Sequence, residues 1–214
     1  MFIELVDALR CPGAHEETWL VAAVERYHGR YIAEGALGCP VCRAEYRVRD
    51  GAVHFTDPAA PMGSPPGVLA PEDVLRAQAL LDLSEPGGRV VLAGHAAALA
   101  DALEDAASVA TLLVNPVGHS ARPGHSTLWC GAVVPLAAGS LRGVLLGAGV
   151  SSAVVPSLVR ALRPNGRLVA PVHLPVPMDM VELARDDREW VASRVASTTS
   201  APVGLRRRQG EPGA

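Results

Sequence analysis

From Pro86 to Leu99 the chain reads Pro-Gly-Gly-Arg-Val-Val-Leu-Ala-Gly-His-Ala-Ala-Ala-Leu, and this stretch limits the folds open to it more than any other. A turn at Pro86, Gly87 and Gly88 feeds an uninterrupted apolar run, Val90 to Ala93, which stops at Gly94 and gives way to an Ala/Leu-rich helical pattern. An apolar run of strand length without alternation is buried on both faces, the situation of a strand in a parallel sheet covered by helices. In an open α/β sheet the first strand-to-helix turn is where a nucleotide-like ligand sits. Gly94 and His95 occupy that turn.

The rest of the second half repeats the unit. Pro71-Glu-Asp opens a helix, with proline in the first turn and two acids near the positive end of the dipole, and it runs to the stop at Pro86. Strand one is Arg89 to Ala93, followed by a helix from Ala96 to Ala106 and strand two from Val109 to Val114. A loop from Asn115 to Ser126 leads into strand three, Thr127 to Val133, and a turn from Pro135 to Gly139 into strand four, Leu141 to Leu146. A helix from Ser152 to Leu162, a turn at Arg163-Pro-Asn-Gly166 and strand five, Arg167 to Val172, complete the alternation. Such a succession demands a parallel sheet with right-handed crossovers. Met180 to Arg185 and Arg188 to Ser193, flanking Asp186-Asp187, read as a closing antiparallel hairpin.

The first 56 residues follow different rules. Of the four cysteines in 214 residues, three stand at Cys11, Cys39 and Cys42, too few for a disulfide scaffold and grouped as metal ligands are. Cys11-Pro-Gly-Ala-His15 and Cys39-Pro-Val-Cys42 are two turn-borne pairs separated by a strand-forming stretch, as a zinc ribbon requires. Ala14 stands where a second cysteine of the first pair belongs, so the set is Cys11, His15, Cys39 and Cys42, holding a structural Zn²⁺; the alternative is a ribbon held by its apolar core alone. No helix pattern follows Cys42 to lower a thiolate pKa for redox work. Glu45 to Arg49 alternates, Asp50-Gly51 signals a hairpin, and Ala52 to Phe55 alternates again.

The resulting expectation is an α/β chain with a small zinc-ribbon β module (1–56), a Pro/Gly linker (57–70), a truncated Rossmann-like sheet with a C-terminal hairpin (71–195) and a tail (196–214). A net charge of −3 and 4% aromatic residues argue against a nucleic-acid binder. Apolar runs are broken before they could span a bilayer, and Glu4 and Asp7 interrupt the first one, so neither a signal peptide nor a transmembrane helix is expected. The grouped thiols point to a reducing, cytoplasmic setting.

Two resemblances sharpen this. Leu9-Arg-Cys-Pro12, Leu37-Gly-Cys-Pro-Val-Cys42 and Tyr46-Arg-Val-Arg-Asp-Gly-Ala-Val-His-Phe55 resemble the small zinc-ribbon subunits that bind and activate methyltransferases, and their stand-alone bacterial relatives. Pro86-Gly-Gly-Arg-Val-Val-Leu92, the run from Val134 to Leu146, and Leu162-Arg-Pro-Asn-Gly-Arg-Leu-Val-Ala-Pro171, with the closing hairpin, resemble class I S-adenosylmethionine-dependent methyltransferases. The second resemblance implies a glycine-rich turn after strand one, an acid beside it, and another at the end of strand two to grip the ribose hydroxyls.

Here the turn has one glycine, Gly94, with Leu92 or Ala93 where the first acid belongs and Val114-Asn115 where the second does. Asn115 can make single hydrogen bonds but is not a two-acceptor carboxylate. Cys130-Gly131-Ala132 replaces the adenine-side acid, and Leu141-Arg142 an aromatic-acid pair at strand four. Polar positions have drifted while the strands are intact, so no residue takes a catalytic role. Gly94, His95 and Asn115 are what remains of a cofactor site. The expected function is a scaffold or partner-binding protein, docking on a methyltransferase or on itself; the alternative is an active methyltransferase with an atypical S-adenosylmethionine pocket. His119 and His125 read as solvated loop histidines, Cys130 as a small core residue, and Arg206-Arg-Arg208 as a weak phosphate contact.

Overall fold

A computed structural model describes residues 1–56, 70–118 and 124–195. Most of the expected linker, His119, the tail from residue 196 and its Arg206-Arg-Arg208 lie outside the described residues.

The strands are β1 (Val21–His28), β2 (Tyr31–Gly38), β3 (Glu45–Arg49), β4 (Ala52–His54), β5 (Arg89–Ala93), β6 (Ala110–Val114), β7 (Ser126–Trp129), β8 (Leu141–Leu146), β9 (Leu162–Pro171), β10 (Met180–Arg185) and β11 (Glu189–Arg194). They form one sheet in the order β1-β2-β3-β4-β7-β6-β5-β8-β9-β11-β10. The strands from β7 through β9 are mutually parallel. β11 runs antiparallel to β9, and β10 to β11. The second half is therefore a doubly wound sheet that reverses its order at β5 and β8 and ends in an antiparallel hairpin, a methyltransferase-like topology.

Side chains of β5 explain why the apolar run had to be continuous. Val91 and Ala93 enter the core on one face, Val90 and Leu92 the core on the other, and all four are fully buried. Each Val or Leu so placed contributes about 1.5–3 kcal/mol relative to an exposed one. One face is covered by α1 (Pro71–Leu81) and α2 (Ala100–Ala107), the other by α3 (Val155–Ala161) and the N-terminal segment. Asp73 Oδ2 accepts the Ala70 N–H at 3.1 Å to start α1, and Asp82 in the left-handed region ends it.

The first 56 residues join this sheet. β1 to β4 form an antiparallel meander, and β4 then pairs in parallel with β7, Val53 opposite Leu128. The Asp50-Gly51 turn has positive φ at both residues, as a tight hairpin requires, and a Cβ on Gly51 would lie 1.8 Å from the Tyr31 hydroxyl oxygen. The preceding segment pairs with the body as well, Arg10 N–H donating to Pro135 O at 2.9 Å and Ala137 N–H to Ala8 O at 2.8 Å. Among the described residues no helix is long and apolar enough to cross a membrane.

Three local expectations need correction. The helix after strand one begins as a 3-10 stretch, Gly94–Leu99, because His95 N–H is held by Ala148 O at 3.1 Å; regular helix starts only at Ala100. Strand three stops at Trp129 instead of Val133, because β6 ends at Val114 and beyond it the Asn115 side chain takes over the bonding. Arg163 to Gly166 forms a bulge within β9 instead of a turn before it: Leu162 pairs with Leu141, while Arg167 pairs with Gly143.

Candidate metal centre and cofactor crevice

Cys11 sits where the chain leaves its pairing with the body; its N–H donates to Thr18 O at 2.9 Å and closes a loop that carries His15. Cys39 and Cys42 lie in the knuckle joining β2 to β3, tightened by Cys39 N–H to Ala44 O at 2.9 Å and Arg43 N–H to Cys39 O at 3.0 Å. These two turns bring the ligand atoms of Cys11, His15, Cys39 and Cys42 within 4.8 Å of one another. Cys11 Sγ lies 3.6 Å from Cys42 Sγ, and Cys39 Sγ lies 3.4 Å from His15 Nε2. A tetrahedral Zn²⁺ with ordinary bond lengths puts sulfur–sulfur edges at about 3.8 Å and sulfur–nitrogen edges at about 3.6 Å. The donor set fits that ion.

The surroundings agree. His15 Nδ1 is 2.7 Å from Glu16 O, an arrangement in which Nδ1–H donates and the Nε2 lone pair points into the cluster. Burial opposes ionisation of Cys11, but hydrogen bonds from the Tyr46 hydroxyl, the Gly13 N–H and the neighbouring thiols outweigh it and hold the thiol below its ordinary range. Cys39 is buried and Cys42 exposed, so the cluster has one side open to entering metal. Four protein ligands leave no coordination position for substrate, so a metal held here supports structure.

The other candidate residues gather at the carboxyl ends of β5, β6 and β8. Gly147 N–H donates to Ala93 O at 2.9 Å, beside the His95-to-Ala148 bond, so the loop after β8 is stitched directly onto the turn after β5. Gly94 has φ +62°, and a Cβ there would lie 2.4 Å from Ala148 O and 2.6 Å from Val150 Cγ2. The space that glycine opens is filled by the protein's own loop. Asn115 is equally committed: its Nδ2 donates to Cys130 O at 2.9 Å, and its Oδ1 accepts the Cys130 N–H at 2.8 Å. Each polar end of Asn115 is engaged with Cys130, leaving one amide hydrogen and one oxygen lone pair. His95 Nε2 is buried without a hydrogen-bond partner among the described residues.

The remaining singled-out residues separate. His125 is buried, not solvated: its Nε2 lies 3.3 Å from Asp101 Oδ1 and 3.6 Å from Glu104 Oε2, acids presented by α2. Cys130 is a buried thiol whose pKa burial pushes up. Arg142, which the sequence shows only as part of the Leu141-Arg142 pair in place of an aromatic-acid pair, has a structural role. It is buried, and its guanidinium donates to Asp82 O at 2.7 Å, to Gly87 O at 3.0 Å and to Glu85 O, binding the end of α1 to the turn before β5.

No family model matches the chain, and no curated protein matches it. Solved structures similar to it include a SAM-dependent O-methyltransferase from Thermotoga maritima, at 11% identity over 77% of this chain and 79% of that one, TM-score 0.39. The antibiotic-resistance methyltransferase Kmr is similar at 14% identity over 61% of this chain and 95% of that one, TM-score 0.39. A geranyl diphosphate methyltransferase solved with GPP and sinefungin is similar at 19% identity over 44% of this chain, TM-score 0.34, and the match spans 42% of its length. The strand order and closing hairpin, rather than these scores, carry the fold assignment: a methyltransferase-like α/β sheet with a Cys/His cluster able to hold a metal ion.

Proposed function

We propose that the chain is a non-catalytic, methyltransferase-like scaffold whose first 56 residues are a zinc ribbon of the activator type, docked in cis. Two hydrogen bonds carry this reading: Gly147 N–H to Ala93 O and His95 N–H to Ala148 O tie the loop after β8 to the end of β5 and its following turn, where a cofactor would need access. The pairing of β4 with β7 supports the cis arrangement, since activator ribbons work by covering a sheet edge and apolar surface, and here that edge belongs to the same chain. Zn²⁺ at Cys11, His15, Cys39 and Cys42 would hold the knuckle and the N-terminal loop together, in a reducing cytoplasm that keeps the thiols free.

A protein partner, either a methyltransferase or a second copy, would then meet the ribbon's outer side. β1 is an edge of the sheet, and around it Trp19, Val21 and Tyr27 stand 59%, 61% and 66% exposed. His95 Nε2 favours the second reading, an S-adenosylmethionine enzyme with an atypical pocket, because a buried ring nitrogen without a partner is a polar group awaiting one. Calorimetric titration with S-adenosylmethionine and S-adenosylhomocysteine, on the chain and on Asn115→Asp, separates the two. No heat of binding at millimolar ligand in either protein supports the scaffold. Micromolar binding, tightened by the restored carboxylate, would establish the enzyme reading instead.

A further inference from the structure

β9 and β10 flank β11 and are both antiparallel to it, hence parallel to each other, and parallel strands of one sheet are usually joined by a crossover of a dozen or more residues containing a helix. Here the crossover is only Val172-His-Leu-Pro-Val-Pro-Met-Asp179. Pro175 and Pro177 remove N–H donors and push the residues before them out of the helical region, so no helix forms: two turns, closed by Leu174 N–H to Pro171 O at 3.0 Å and Met180 N–H to Pro177 O at 3.1 Å, flank a short irregular strap. It is one chain thick, where a helix with side chains would be about 10 Å across. Leu174 pins it, its side chain buried and its carbonyl accepting the Trp190 Nε1–H at 2.7 Å.

The missing thickness survives as a groove of about 840 Å³ between the strap and α3, within the range of about 300–1,000 Å³ typical of small-ligand pockets. Its walls are apolar, chiefly Val155, Val159, Leu174 and Pro177, and Arg160 and Arg194 line it together with one acid, Asp179. Arg194 spends only Nη1 on the protein, donating to Arg160 O at 2.8 Å and to Leu162 O; its Nε and Nη2 have no partner among the described residues. Arg160 is held loosely, at 3.5 Å from Glu17 Oε2 and 3.4 Å from Leu136 O.

We propose that this groove binds a small amphipathic anion, its apolar body lying between α3 and the strap and its carboxylate or sulfonate taken by the free edge of Arg194. Arg160 is already paired with Glu17, so the unused edge of Arg194 selects the sign of the charge, and the apolar walls select a ligand with a hydrocarbon or aromatic body. The site is independent of the closed crevice and stands whichever reading of that crevice holds.

The test is calorimetric titration of the full chain with dodecanoate below its micelle concentration, beside dodecyltrimethylammonium, a cation of the same chain length. Dodecanoate is expected to bind near one per chain, and the cation about tenfold or more weaker, since a charge-assisted hydrogen bond is worth at least that factor. Arg194→Gln is expected to cost dodecanoate the same factor, and Val155→Trp, which puts an indole into the groove, to abolish binding, both with unchanged circular dichroism. Equal binding of anion and cation, dodecanoate binding left intact by Val155→Trp, or no heat from dodecanoate would overturn the proposal. Should Arg194→Gln fail to fold, the comparison of the two ligands and the Val155→Trp variant decide the matter.

Discussion

Leu9→Ala tests whether the N-terminal module and the parallel sheet are one cooperative unit. Leu9 is fully buried, forms a bridge with the equally buried Leu136, and lies two positions before Cys11. The substitution removes three carbon centres, about 2.4 kcal/mol at roughly 0.8 kcal/mol per buried methylene, and leaves a cavity that raises the measured range for such changes to about 2.7–5 kcal/mol. Packing on both sides of Leu9 resists collapse, so about 3–4 kcal/mol is expected. With a urea dependence of about 2 kcal/mol per molar, the midpoint should fall by about 1.5–2 M. Fluorescence can follow the two ends separately, through Trp19 beside the module and Trp190 buried near the hairpin, each isolated by replacing the other tryptophans with Phe. One transition, shifted equally at both probes, is expected. A shift confined to Trp19, with the Trp190 transition unmoved, would refute the continuous sheet as a thermodynamic unit, leaving β4 merely resting against β7.

Other consequences follow from the same contacts. Protein purified without added zinc should carry about one zinc per chain; Cys39→Ser should lose it, and acidification should release it as His15 and the thiolates protonate, both measurable by elemental analysis. Arg142→Leu should lower stability by about 2–4 kcal/mol, because it leaves the carbonyls of Asp82, Glu85 and Gly87 without their shared donor, and a melt should show the loss. Asp186 is held at about 2, below its ordinary 3.8, by the N–H groups of Glu189 and Arg188 and by Arg76. A depressed carboxyl pKa means that the unfolded chain binds the proton first, so its stabilisation is complete above the ordinary value and is lost as pH falls from about 4 towards 2. Asp186→Asn should therefore be less stable than the parent at pH 6, with the difference shrinking in that acid window; a difference that does not change with pH would refute the assignment.

What could be seen in the sequence was what local chemistry dictates. The first parallel strand was legible because a continuous apolar run, Val90 to Ala93, is what burial on both faces demands, whereas β6, β7 and β8 bury Thr111, Ser126 and Thr127, and Arg142 and were read from their place in the alternation. The Cys/His cluster was legible because two tight turns each present a pair of side chains able to hold a metal. What stayed hidden depends on partners distant in sequence. His125 reads as a loop residue until α2 brings Asp101 and Glu104 to it. Arg142 reads as a misplaced charge in a strand until the end of α1 supplies its carbonyls. The pairing of β4 with β7 joins residues about 75 positions apart, and no periodicity records which sheet edge a short strand will meet. Asn115 reads as a weakened ribose contact, whereas its amide substitutes for the main-chain bonds that end with β6.

We propose that the crevice at the carboxyl ends of β5 and β6 is closed by the loop after β8. This closure is tested most directly by following the backbone amide resonances of Gly94, His95, Asn115 and Gly147 while S-adenosylhomocysteine is added to millimolar concentration. These resonances are expected to stay in place, with His95 and Gly147 protected from hydrogen exchange by their bonds to Ala148 and Ala93. Saturable shifts centred on these four residues, with loss of that protection, would contradict the closure.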